Sequence, residues 1–154
     1  MFDRLPPMRL QAIGIVHSDF KALTSARLDL KKITAEIEID PQYTEALSGL
    51  EGFSHIIVLF WLHRASFNIR HLKGHPMGNE NAAPQGIFAL RTPQRPNPIG
   101  KTTVRLLETR GNILKVQGLD AIAGSIVLDI KPYIPGYDSA AGATVPDWVQ
   151  LEKD

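Results

Sequence analysis

The stretch Ile33-Thr34-Ala35-Glu36-Ile37-Glu38-Ile39 alternates apolar and polar residues without a break. In an extended chain successive side chains point to opposite faces, so Ala35, Ile37 and Ile39 share one side and Thr34, Glu36 and Glu38 the other. This is the pattern of a strand with one face in a core and one in water. Directly after it, Asp40-Pro41 reads as an N-cap followed by proline at the first helical position, opening a short helix that runs to about Leu47 and stops at Gly49. His55 to Leu62, H-I-I-V-L-F-W-L, is continuously apolar and β-rich, as expected of a strand buried on both faces.

Further out the chain repeats the theme. Leu10 to Val16 reads as a first strand with Gly14 at a bend, Ile87 to Leu90 as a short strand, and Ser125 to Ile130 as a last one. Thr102 to Glu108 and Ile113 to Gln117 form a hairpin around Gly111-Asn112. About seven short strands with one short helix favour a mainly β, single-domain barrel over a βαβ fold. Neither G-x-G-x-x-G nor a phosphate-binding P-loop pattern occurs, so the common nucleotide folds, the Rossmann fold included, have no support. The expected domain is one unit over residues 1–154, with a core of about 8–137 and a tail of 138–154. In that tail Val145, Trp148, Val149 and Leu151 are expected to dock on the barrel or on a partner chain. Arg64 to Gln85 reads as a long irregular loop, which in a compact domain is usually functional or mobile.

Composition bounds the chemistry. The 154 residues contain no cysteine, which excludes disulfides, thiolate metal sites and cysteine nucleophiles. The longest strongly apolar run, Ile56 to Leu62, is far short of the roughly 20 residues of a spanning helix. The first ten residues lack the apolar core of a signal peptide, and the expectation is a cytoplasmic protein with no membrane association. The net charge is only +1, yet Arg91, Arg95, Lys101, Arg105 and Arg110 face a single acid, Glu108, over one stretch. Such a run is either a solvated face or a surface for phosphates.

Three segments carry candidate chemistry. Phe88 to Gly100, F-A-L-R-T-P-Q-R-P-N-P-I-G, places Thr92, Arg95 and Asn97 before prolines, which removes donors and restricts the backbone. A preordered loop loses less entropy on binding, so its arginines and asparagine point to a polar ligand. Gly49 to Arg64 ends an apolar strand in His63 and Arg64, either at the mouth of a binding site or where the strand meets solvent. Gly118 to Tyr133 places Asp120 among small residues, suited to accept from a ribose or amino group, and puts Asp129 and Lys131 on one face as a structural ion pair. His71 and His75 are four apart, but Gly74 and Pro76 argue against a helix presenting both, and no metal site is expected.

Together G-L-E-G-F-S-H-I-I-V-L-F-W-L-H-R, F-A-L-R-T-P-Q-R-P-N-P-I-G and L-D-I-K-P-Y resemble the TrmO (TsaA-like) family, with weaker support from I-G-I-V-H-S at Ile13 to Ser18 and from Ala35 to Ile39. The resemblance implies a homodimeric seven-stranded barrel that binds S-adenosylmethionine. It also implies methylation at N6 of threonylcarbamoyladenosine, beside the anticodon of tRNA. Carried over by position, the cofactor contacts are His63, Arg64, Arg91, Lys101, Gly118, Leu119, Asp120 and Ala121, with Ser25, Ala26 and Arg27 as weaker matches. Asp120 and His63 are the candidate catalytic bases. Arg95, Asn97 and Arg105 are the candidate contacts to the anticodon loop, Arg95 and Asn97 alternatively serving as loop supports. The sequence departs from the family pattern over Lys21 to Lys32, at Ala123-Gly124 where an acid and glycine are common, and in lacking the C-terminal extension of two-domain members. Two rivals share the cofactor: a methyltransferase acting on another small substrate, and a nucleotide- or RNA-binding barrel without turnover.

Overall fold

The structure, a computed structural model, describes residues 5–19, 29–76 and 79–149. Ser25, Ala26, Arg27 and Leu151 lie outside the described residues. Among the described residues the strands are β1 (Gly14–His17), β2 (Thr34–Ile39), β3 (His55–Trp61), β4 (Lys73–Gly74), β5 (Gln85–Gly86), β6 (Ile99–Arg110), β7 (Ile113–Gln117) and β8 (Ile126–Pro132), followed by an α-helical turn, α1 (Pro135–Asp138). The chain divides into two compact units, one of Met1–Trp61 with Gly100–Tyr133, the other of Leu62–Ile99 with Ile134–Asp154.

The first unit is a closed barrel in the order β1-β2-β7-β6-β3-β8. The alternation read in β2 holds: Ala35, Ile37 and Ile39 are buried, while Thr34 and Glu38 are exposed. β3 buries Ile56, Ile57, Val58 and Phe60, so both of its faces are covered along most of its length. From the other strands Val16, Val104, Leu114, Val116 and Val127 complete the interior. A fully buried aliphatic or aromatic side chain contributes roughly 1.5–3 kcal/mol relative to exposure, so this interior carries most of the unit's stability. Register shifts in the β6–β7 and β3–β8 pairs insert an extra residue, the device by which a sheet bends enough to close.

The short helix forms as the cap residues require, but as a 3-10 helix over Pro41–Leu47. Asp40 accepts from the Gln42 backbone N–H at 3.0 Å and a second time from its side-chain amide. The hairpin turn at Gly111-Asn112 is also as expected, with Gly111 at φ 59°. Its Asn112 does more than turn. Its Nδ2 donates to the Ile39 carbonyl at 2.6 Å, and its own carbonyl accepts from the Ile39 N–H at 2.8 Å, fastening β2 to the hairpin.

Several expectations are corrected. The barrel has six strands, not seven, because Ile87 to Leu90 is a 3-10 turn over Ile87–Ala89. Ile87 extends the β4–β5 pairing by donating to the Leu72 carbonyl at 3.0 Å, and the chain then folds back with Leu90 donating to the Ile87 carbonyl. Four apolar residues are too few for periodicity to separate strand from turn. The first strand begins at Gly14, not Leu10, and the last ends at Pro132. Arg64 to Gln85 is not simply a loop; it belongs to the second unit, contains β4 and ends in the first residue of its partner β5.

Gly100 closes the proline-rich segment for a packing reason: a Cβ there would lie 2.5 Å from the ring of Phe60, a fully buried side chain. Gly100→Ala is therefore expected to destabilise the protein by about 1–3 kcal/mol, the usual cost of overpacking, read as a lowered urea midpoint with an unchanged m-value.

Candidate functional site

In the barrel unit the segment Gly118 to Ala121 follows β7 directly. Gly118, at φ 92°, turns the chain, and its N–H donates to the Ile33 carbonyl at 2.9 Å. Leu119 and Ala121 are wholly buried and plug into the core, which leaves Asp120 between them exposed. Any ligand contact at positions 119 and 121 therefore falls to their backbone, while Asp120 offers its carboxylate. The Thr102 hydroxyl, on β6, donates to Oδ1 of Asp120 and fixes the carboxylate's direction. Sequence reasoning missed Thr102, because G-K-T-T reads as strand filler and nothing in it reports a cross-strand partner. Beside it Lys101 donates to the Thr103 hydroxyl at 3.2 Å, and Arg105 is exposed further along the same strand.

The same unit carries a second polar cleft of about 510 Å³, lined by His17, Asp19, Glu36, Lys115, Ala123 and Gly124 among others. His17 and Glu38 are joined across β1 and β2 at 2.8 Å, and Arg110 reaches Glu36 at 3.6 Å. Ala123, where the resemblance expects an acid, opens onto this cleft, and the acids there are Asp19 and Glu36. The expected Asp129–Lys131 pair is present at 2.7 Å. Its hydrogen bond and charge raise the Lys131 ammonium above its ordinary value.

His63, Arg64, Arg91, Arg95 and Asn97 all belong to the second unit. His63 and Arg64 are exposed in the turn after β3, where Ala65 donates to the Leu62 carbonyl at 2.9 Å. Arg95 points inward: its Nη1 donates to the carbonyls of Ile87 at 2.9 Å and Leu90 at 2.7 Å, and the guanidinium lies 5.7 Å from the centre of the Phe88 ring. Of its two expected roles, loop support is the one these partners realise. An RNA contact by Arg95 would have to use its other nitrogens. Asn97 is exposed and its carbonyl accepts from the Ile99 N–H at 2.8 Å.

Arg91 lines a cavity of about 890 Å³ together with His71, Lys73, His75, Thr92, Gln94 and a largely apolar remainder. Part of that remainder is the tail: Val145, Trp148 and Val149 face the cavity. Val145, Trp148 and Val149 thus share this cavity with the apolar Ile87 and Leu90 of the same unit. His75 uses Nδ1 on the Ala82 carbonyl at 2.8 Å. Among the described residues no group of three or more His, Cys, Asp or Glu side chains is placed to hold a metal ion, and no helix is long and apolar enough to cross a membrane.

The family model of the tRNA-methyltransferase O N-terminal domain matches residues 7–139, most of the chain. The chain belongs to the TrmO family. A relative in Methanothermobacter thermautotrophicus, a probable S-adenosyl-L-methionine-binding protein, is 46% identical over 134 residues, covering 86% of this chain and 94% of that one. The human tRNA (adenine(37)-N6)-methyltransferase is 39% identical over 115 residues, covering 75% of this chain but only 25% of the human protein. The crystal structure of TrmO from Pseudomonas aeruginosa superposes with a TM-score of 0.74 at 32% identity, over 94% of this chain and 62% of the other. The chain thus spans about three fifths of that TrmO chain and a quarter of the human enzyme.

The TrmO loop from Phe88 to Gly100 depends on Arg95 for its shape. Arg95→Ala would leave two carbonyls without their charged donor and is expected to cost about 1–3 kcal/mol. Limited proteolysis should then cut within residues 87–95 faster than in the wild type, whereas equal rates would show that the prolines alone hold the loop.

Proposed function

We infer that the chain is an S-adenosylmethionine-dependent methyltransferase of the TrmO family that acts on N6 of an adenosine beside the anticodon of tRNA, with threonylcarbamoyladenosine as the specific substrate. The observation that carries this reading is that the family match, residues 7–139, contains every candidate residue from His63 to Ala121. The M. thermautotrophicus relative is named for binding the cofactor, and the human relative for methylating adenine 37 of tRNA. Residues 1–154 act as one functional domain in this reading, in the cytoplasm and as a homodimer.

The donor set suits the cofactor. In the barrel unit the Asp120 carboxylate, fixed by Thr102, fits a ribose hydroxyl or an ammonium group and Lys101 fits a carboxylate; in the second unit His63, Arg64 and Arg91 are of the kind that also fits a carboxylate. Gly118, Leu119 and Ala121 contribute backbone. When bound, S-adenosylmethionine supplies a methyl group on a sulfonium, a good leaving group. The chain's task is chiefly alignment of its substrate, for which a rigid proline-locked loop and a barrel rim are suited. The attacking nitrogen is weakly nucleophilic and has a proton to lose. Asp120, whose Oδ1 is engaged by Thr102, keeps Oδ2 to accept that proton, and His63 is the alternative acceptor. The exposed Arg105, with Asn97 and Arg95, would meet the phosphates of the anticodon loop.

Incubation of the full chain with methyl-labelled cofactor and bulk tRNA, with and without the threonylcarbamoyl group, tests the reading. Label is expected only in modified tRNA. Label in unmodified tRNA shifts the substrate to plain adenosine, and cofactor binding without transfer to any tRNA leaves a binding barrel. Asp120→Asn is expected to slow single-turnover methylation by about 10²-fold or more, in the range of general-base catalysis; an unchanged rate removes Asp120 as the base. The tRNA affinity should fall steeply between low and moderate salt, and a flat response would exclude phosphate contacts as its source.

A further inference from the structure

Apart from Arg91, the residues that line the cavity of the second unit have no part in the cofactor reading. Its cationic or protonatable residues are His71, Lys73, His75 and Arg91, and among the described residues no Asp or Glu lines it. Its apolar side includes Trp148, an indole that is partly buried. At about 890 Å³ it falls within the roughly 300–1,000 Å³ of small-molecule sites.

The chemistry of His75 narrows the occupant further. The Ala82 carbonyl can only accept, so the bond at Nδ1 requires Nδ1 to carry the proton. The neutral ring is then held as one tautomer, with Nε2 left as a hydrogen-bond acceptor. A tryptophan face, an acceptor and flanking cations, with no acid among the described residues that line the cavity, are the three things an unpaired nucleotide needs. The base stacks on the aromatic ring, its amino N–H finds the acceptor, and its phosphate meets lysine or arginine. An apolar peptide or a lipid chain would have no use for the acceptor or the cations. A base inside an intact loop cannot be reached by a methyl donor until it leaves its stack, so an RNA methyltransferase must hold such an extruded nucleotide somewhere.

We propose that this cavity, between the 71–94 segment and the Val145–Val149 tail, is the binding site for an unstacked nucleotide of the RNA substrate, with Trp148 as stacking platform and His75 as base-reading acceptor. This rests on the tRNA reading above. Arg91, which borders the cavity, also matches a cofactor-binding position in that reading.

The test uses the full chain and a labelled anticodon stem–loop RNA with an unpaired adenosine in its loop, at fixed salt. Trp148→Leu keeps an apolar side chain but removes the ring, and is expected to weaken RNA binding about ten-fold or more. His75→Asn keeps an amide N–H for the Ala82 carbonyl while removing Nε2, and is expected to weaken it several-fold. Calorimetric affinity for S-adenosylmethionine should stay within about two-fold in both, because neither residue is placed in the cofactor site. RNA affinity unchanged in both variants overturns the inference. So does a loss of cofactor affinity by the same factor, which would make the cavity part of the cofactor site. A Trp148→Leu change in sedimentation with RNA binding intact overturns it in favour of a contact between copies. If Trp148→Leu fails to fold, His75→Asn decides alone. Wild-type protein that binds the cofactor but no RNA overturns this inference and the tRNA reading together, whereas variant-insensitive RNA binding overturns this inference only.

Discussion

The barrel depends on a strand of four residues. β1 pairs with β2 through Gly14 to His17 and with β8 through Gly14 and Ile15, so it is the piece that joins the two sides of the sheet. Without it β2 and β8 would each present an open edge, with unpaired N–H and C=O groups and a core exposed along the gap. Val16, at zero exposure, fills the interior behind that seam, and Ser125 and Gly124 add backbone bonds to Val16 from the loop before β8. Closure is what lets so short a strand survive: Gly14, Ile15 and Val16 are held from two sides.

From this constraint follows the way polar chemistry is displayed. Strands with wholly apolar inner faces push polar residues to the rim and to the turns. At the turn after β7 the alternation of buried Leu119, exposed Asp120 and buried Ala121 converts a packing requirement into a directed carboxylate. The two flanking side chains lock the backbone, and Thr102 on the neighbouring β6 sets the carboxylate's rotation. A reactive group held this way loses little freedom when it acts, which is the physical meaning of preorganisation.

The second unit solves a different problem. It has little regular structure, one pair of two-residue strands, and many prolines and glycines, so its backbone groups need other partners. Asn68 and Asn79 accept from the N–H two residues on, Arg95 gathers the Ile87 and Leu90 carbonyls, and His75 caps the Ala82 carbonyl. Side chains that could have been displayed to a ligand are spent on the loop's own backbone. Trp148 and the cationic residues that line the same cavity form a surface of distinct chemistry.

The β character, the buried β3, the alternating β2, the Asp40 cap, the Gly111-Asn112 hairpin and the Asp129–Lys131 pair were all legible in the sequence. Each rests on residues within a few positions of one another, where period, propensity and cap chemistry act directly. The family was legible for a related reason, since its motifs are short and contiguous. Barrel closure, the Thr102–Asp120 bond across 18 residues, the inward turn of Arg95 and the seating of Trp148 over the 71–94 segment were decided only in three dimensions. These depend on which distant backbone or side chain arrives at a given place, and that is set by the packing of the whole chain. A linear pattern carries no record of it.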